Sequence, residues 1–168
     1  MAGQAFLSVP EFEWVAGDDV QSEERHAELI AGGTAWVAVD DRDVPVGFLN
    51  AQACPDALHI LELSVRADQQ GRGFGRRLVA QAIAAARRSG FPAVTLTTFR
   101  DVPWSRPFYE RMGFRVPDED ETPARLRKIL DEEAAHGLRR ETRCAMLLDL
   151  TPPPPSPRRR PGNSPNWR

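Results

Sequence analysis

Between Leu61 and Gly75 the chain reads LELSVRADQQGRGFG, an apolar stretch that runs into three alternating glycines and passes at once into a helix-forming run. This junction restricts the fold more than any other segment. A strand must stop, the backbone must turn through residues without a Cβ, and a helix must begin. N–H groups at a helix start lack intrahelical partners and carry a partial positive charge. Glycines leave those donors uncovered, so the amides from Gln70 to Arg76 are expected to form a concave nest for a diphosphate, with no lysine needed.

The surrounding pattern supplies the other elements. Ser22 is placed to cap a helix over Glu23–Ala31 that Gly32-Gly33 closes. Ala35–Asp40 and Pro45–Gln52 read as a hairpin around Asp41-Arg42-Asp43, and His59–Val65 as a third strand after the loop at Pro55-Asp56. Leu78, Val79, Ala82, Ile83 and Ala86 keep helical spacing from Gly75 to Ser89, and Gly90 ends that helix. Ala93–Phe99 is β-rich. A short helix over Trp104–Met112 tolerates Pro103 and Pro107 only near its first turn. Phe114–Val116 is expected to be a brief strand. Thr122-Pro123 opens a helix that ends before Gly137, and Glu141–Leu150 alternates as a strand with Thr142, Cys144, Met146, Leu148 and Leu150 on one side. Phe6, Phe12 and Trp14 are candidates to dock on the core. From Thr151 the Pro/Arg-rich tail has no composition for a core and is expected to be disordered.

Composition removes several classes of function. A chain of 168 residues with 41% apolar and 27% charged side chains is an ordinary globular protein of one domain. Its formal charge of −2 includes four uncompensated arginines in the tail, so the body stands at about −6, which disfavours a nucleic-acid-binding core. Cys54 and Cys144 lie far apart with no ligand spacing around them, against both a disulfide framework and a zinc site. The N-terminal residues lack a signal-peptide pattern, and no apolar run reaches membrane-spanning length. A cytoplasmic protein is expected, with no membrane or nucleic-acid partner; a homodimer stays open.

These elements and motifs resemble the GNAT acetyltransferase superfamily. Its (Gln/Arg)-x-x-Gly-x-(Gly/Ala) signature at a helix start after a strand is met by Gln70, Gly73 and Gly75. A downstream (Phe/Leu)-Tyr-x-x-x-Gly-Phe is met by Phe108, Tyr109, Gly113 and Phe114. Pro103 to Tyr109 is similar to a PW-x-x-P-F-Y subgroup, with Ser105 where asparagine is common. The resemblance covers Trp36 to Leu150. It implies an α/β (α+β) fold, the GNAT acyl-CoA N-acyltransferase fold, with a mixed central sheet flanked by helices. The domain would span 34–150, after an N-terminal segment 1–33 whose first elements are degenerate or truncated, and before the tail 151–168.

Further implications follow from the same resemblance. Acetyl-CoA would be the cosubstrate, without a metal, and an unidentified primary amine would attack the thioester directly in a ternary complex. The backbone around Leu63, Ser64 and Val65 would pair with the pantetheine arm. Gln70, Gly71, Arg72, Gly73, Phe74, Gly75 and Arg76 would hold the pyrophosphate, and the Ser105 hydroxyl would donate one hydrogen bond. Glu62, expected on the strand face opposite Leu61 and Leu63, corresponds to the family's general base, and Tyr109 to its general acid. The segment Val116–Glu141 is expected to cover the acceptor pocket.

Plainer readings compete for several of these residues. Glu62 also reads as a solvated strand residue paired with an arginine, and Tyr109 as a packed tyrosine. Trp104 and Phe108 read as core or cleft wall, His59 as structural, and His26 and His136 as surface groups. Asp101 reads as a helix cap, and Asp118–Glu121 as a solvated loop. A dinucleotide-binding fingerprint fails because Arg76 and Leu78 stand where its last glycine would fall, and no Gly-Lys-(Ser/Thr) end makes a P-loop. The alternative on the same fold is a non-catalytic acyl-CoA-binding or partner-binding module.

Overall fold

A long antiparallel hairpin forms the middle of the sheet. In the computed structural model, which describes residues 23–150, Pro45–Cys54 (β2) and Ala57–Val65 (β3) pair across the turn at Pro55-Asp56. Pro55 has no N–H to lose from a ladder, so the turn is where it fits. Ala35–Val39 (β1) pairs with β2, and Ala93–Phe99 (β4) lies parallel to β3. Arg143–Asp149 (β5) runs antiparallel to β4, giving the order β1-β2-β3-β4-β5. The expected mixed sheet flanked by helices is therefore present. Readings that fell on residues 1–22 and 151–168, and on the His26 side chain, lie outside what is described.

A parallel pair needs a crossover, supplied here by Phe74–Arg88 (α2). Its stripe of Leu78, Val79, Ala82, Ile83 and Ala86 buries against Leu49, Ala51, Leu58, Ile60, Val94, Leu96 and Met146. Each fully buried aliphatic side chain in such a layer contributes about 1.5–3 kcal/mol. Arg87 and Arg88 sit where the helix dipole favours cations. Gly90, at φ 75°, ends the helix while Gly90 N–H donates to Arg87 C=O and Phe91 N–H to Ala86 C=O, a Schellman closure.

The opposite face carries two other helices. Glu23–Ala31 (α1) packs on β1 and β2, with Leu29 buried. Ala124–Ala135 (α4) sets Leu126 and Leu130 on Ala145 of β5. Arg125 ties α4 to the β2–β3 turn through two bonds to Asp56, at 2.9 and 3.2 Å. Arg106–Glu110 (α3) is shorter than predicted and stays beside α2. The brief strand expected over 114–116 is a single bridge, Arg115 to Leu147, because Gly113 (φ 92°) and Pro117 confine it on both sides. The last strand starts later than predicted, since Arg140–Thr142 forms a 3-10 turn.

Two irregularities shape the centre. Asn50 faces Glu62 in the β2–β3 register while Ala51 faces Ile60, so Leu61 is an extra residue, a β-bulge. The bulge shifts the alternation: Leu58 and Ile60 before it and Leu63 and Val65 after it all join the α2-side core, and Leu61 does not. The expectation that Leu61 shares a face with Leu63 is thus corrected. Glu62 does oppose Leu63. The second irregularity is that β3 and β4 are in register only at Leu58–Val94 and His59–Thr95, beyond which the strands part.

Candidate active site

The parting strands open a cleft of about 630 Å³ that the glycine loop and α3 complete. On one wall lie Leu63 and Val65, whose inner backbone edge has no strand partner; on the other lie Leu96 to Phe99 of β4. Ser64 is not part of the wall. Its side chain alternates to the other face, 2% exposed, and its hydroxyl has no hydrogen-bond partner. Its backbone groups alternate with those of Leu63 and Val65 and face β2, so Ser64 offers the cleft neither side chain nor main chain.

The loop is built around two left-handed residues. After the 3-10 turn Ala67–Gln69, Gln70 is extended and its side-chain amide donates to Val65 C=O at 3.1 Å, closing the loop on the strand. Gly71 (φ 74°) and Gly73 (φ 83°) occupy backbone space that L side chains rarely adopt. Alternation of such residues with ordinary ones turns successive N–H groups to one side. The first helical bond of α2 is Arg77 N–H to Gly73 C=O. Consequently the amides of Gly71 through Arg76 donate no backbone hydrogen bond among the described residues. Gly75 differs. A Cβ there would stand 3.7–3.8 Å from Phe108, Leu63 and Val65, so its bareness keeps the cleft wide where strand and helix start come together.

The remaining loop residues divide. Gln70, Gly71, Gly73, Phe74, Gly75 and Arg76 line the cleft, whereas the Arg72 side chain turns out to bond Gln69 and lie 5.8 Å from the Phe74 ring. Phe74 is itself buried, with the Arg77 guanidinium over its ring at 4.6 Å.

Glu62 is half-buried and lines the cleft on the side away from α2. Tyr109 enters from α3, its ring edge-on to Phe108 and Phe114 at 4.9 and 5.7 Å. Burial pushes its phenol up to about 12, with the charge of Arg143 pulling weakly the other way. Tyr109 therefore holds its proton throughout the neutral range. Ser105 is buried at the cleft wall and its hydroxyl is already bonded to the Thr98 hydroxyl. One of the two hydroxyls must donate to the other, which leaves a single proton of the pair for a ligand.

Sequence reasoning overlooked the polar floor of the cleft. Thr97, Thr98 and Arg143 all line it, and Glu133 of α4 reaches through to hold Thr97 and Arg143. The available sign was Arg143 itself, a charge standing opposite the apolar face of an alternating strand. No residue of α4 lines the cleft itself, but α4 packs on the sheet face away from α2, the side on which Glu62 stands, and touches the floor through Glu133. Trp104 is cleft wall at the rim, 44% exposed. His59 lies outside it, bonded to Thr95, and burial lowers its pKa to about 4, so it is neutral and structural. Asp101 does not cap α3, whose N-terminus has no side-chain cap.

A nest of free amides, a strand edge left open beside it and a protonated tyrosine across the cleft come together in one site. The family model for the acetyltransferase (GNAT) family matches residues 5–114, and the chain belongs to that family. Among curated proteins it is 31% identical over 99 residues to the peptidyl-lysine N-acetyltransferase YjaB of Salmonella typhimurium, covering 59% of this chain and 62% of that protein. To the Escherichia coli protein of the same name it is 34% identical over 86 residues, covering 51% and 52%. The chain thus spans between half and two thirds of these relatives' length. In fold it is similar to Ard1 from Thermoplasma volcanium, with a TM-score of 0.61 at 14% identity over 90% of this chain and 95% of that one.

Proposed function

We propose that the protein is an acetyl-CoA-dependent N-acetyltransferase that acts on a primary amine by direct attack in a ternary complex. The observation that carries this reading is the run of free amides from Gly71 to Arg76 set beside the β3 edge at Leu63 and Val65 that has no strand partner. Diphosphate suits the first and an extended amide-bearing chain suits the second, and acetyl-CoA has both in sequence. Arg76 adds a cation at the mouth, and the single free proton of the Ser105–Thr98 pair offers one more donor along the wall.

Acetyl-CoA supplies a thioester carbon open to attack by an amine. Glu62 takes the proton that an ammonium must lose before it can attack, directly or through a water. Tyr109 donates to the sulfur as the carbon–sulfur bond breaks, a task for which its buried, protonated phenol is suited. The name of the two curated relatives supports including lysine peptides, which carry an α-amine and an ε-amine, in the acceptor screen. The PW-x-x-P-F-Y stretch supports membership of that subgroup. Absence of a helix long and apolar enough to cross a membrane, among the described residues, is compatible with a cytoplasmic location.

The test has two arms. Calorimetric titration with acetyl-CoA is expected to show saturable binding, and its absence at millimolar ligand overturns the reading of the nest. A screen of amines and lysine peptides, read by released thiol, is expected to find turnover. Binding without turnover of any amine would leave the binding-module alternative.

A further inference from the structure

We infer that the cleft selects amines that carry an uncharged carbonyl beside the nitrogen, as in an amino-acid amide or a peptide N-terminus, and that Arg143 is the residue that recognises that oxygen. This rests on the reading of the protein as an acetyltransferase and adds the acceptor class to it.

Arg143 of β5 and Glu133 of α4 form an ion pair behind the cleft floor. The side chains of Arg143 and Glu133 are only 10% and 17% exposed. Arg143 Nε donates to Glu133 Oε2 at 2.8 Å and Nη2 to Oε1 at 2.9 Å, a two-pronged pair. Thr97 adds a donation to Oε1 at 2.5 Å and accepts from Nη2 at 3.3 Å. A buried pair of this kind is often no more stabilising than apolar side chains of the same volume. The Arg143 guanidinium stands over the Phe99 ring, 4.4 Å from its centroid, and Arg143 lines the cleft.

Arg143 has donors to spare. No described residue accepts from Nη1, and Nη1 is not a sealed-off orphan like the buried Nη1 of Arg125. The group therefore offers N–H donors to whatever enters the cleft. Arg143 and Tyr109 line the same cleft, so the guanidinium charge stands within the site. Glu133 already balances that charge. What remains is a donor with little net charge, which suits a neutral carbonyl better than a carboxylate and gives nothing to a plain alkylamine.

The experiment compares alaninamide, alanine and isopropylamine, which share a skeleton and differ in the group beside the amine. Wild-type protein is expected to favour alaninamide, with kcat/KM higher than for the other two by on the order of tenfold, the worth of one charge-assisted hydrogen bond. In Arg143→Lys the alaninamide-to-isopropylamine ratio should fall by a similar factor. In Glu133→Gln the uncompensated guanidinium should move preference toward alanine, a gain that simple loss of folding does not produce. Thermal melts and acetyl-CoA titration verify that each variant is folded. Unchanged ratios in both variants overturn the inference. So does an equal loss with all three amines, which would put the guanidinium on the thioester instead. If no amine is acetylated, the acetyltransferase reading falls. Titration of the same amines into the CoA-loaded protein then decides: alaninamide binding that Arg143→Lys abolishes supports the inference, and no binding overturns it.

Discussion

His59 and Thr95 are the last residues at which β3 and β4 run in register, and their side chains are hydrogen-bonded at 3.0 Å. Just beyond them the strands diverge, and the Leu61 bulge begins on the next turn of the pleat. The bond fixes where the sheet ends and the cleft starts. It also keeps a neutral imidazole buried at the apex.

Acid sensitivity follows from that imidazole. His59 titrates near 4 in the folded protein against 6.5 when free, so the unfolded chain binds the extra proton first. Stability is expected to be full above about 6.5 and to fall as the pH drops toward about 4. Chemical denaturation across this range should show the slope, and His59→Gln should flatten it.

Tyr109 is the only tyrosine in the chain, which makes its ionisation readable by near-ultraviolet absorbance. No phenolate signal is expected below about pH 11 in the folded protein, given a pKa of about 12. Because the folded value lies above the free one, stability should be intact below about 10 and be lost as the pH rises through about 12. Tyr109→Phe should lower kcat by about 10²–10⁴-fold while the acetyl-CoA Kd stays the same. Unaltered turnover would remove Tyr109 from the mechanism.

Gly73→Ala tests the loop. Open space surrounds the position, so the penalty comes from the positive φ alone, about 1–2 kcal/mol. If the loop relaxes to relieve it, the amides turn away and acetyl-CoA affinity falls by about tenfold or more. Calorimetry and a thermal melt separate the two effects. Gly75→Ala, with a helical backbone, should leave the melt nearly unchanged and act on binding through the cleft width.

Glu133→Ala should destabilise the fold by about 3 kcal/mol, because it strands the buried Arg143 charge. Replacing Arg143 and Glu133 together by apolar residues should recover much of that loss. A double-mutant cycle by urea denaturation measures the difference.

Much of the site could be read from the sequence because its parts are local. The glycine loop needs only a strand end, two residues at positive φ and a helix start, and all fall within Leu61 to Arg77. Tyr109 is framed by Phe108 and by the Gly113 stop. The bulge at Leu61 was not legible, since an extra residue appears only against a partner strand and LELSV alternates well on paper. Nor was the Thr97–Glu133–Arg143 cluster, which brings together a strand, a helix on the other sheet face and the last strand. The helix over 124–135 was recognised by its apolar spacing, but which side of the sheet it covers depends on Ala145, a small residue with no pattern of its own.

The gap between β3 and β4 is made by withholding ladder bonds, with no lid or hinge among the described elements. A ligand lying along Leu63 and Val65 would therefore act as a missing crosspiece between two halves of one sheet. Occupancy should then brace the β1–β3 half against the β4–β5 half, so the melting temperature climbs with the logarithm of ligand concentration. Acetyl-CoA, on the proposed function, would in that sense be a seasonal part of the scaffold as well as the material it consumes.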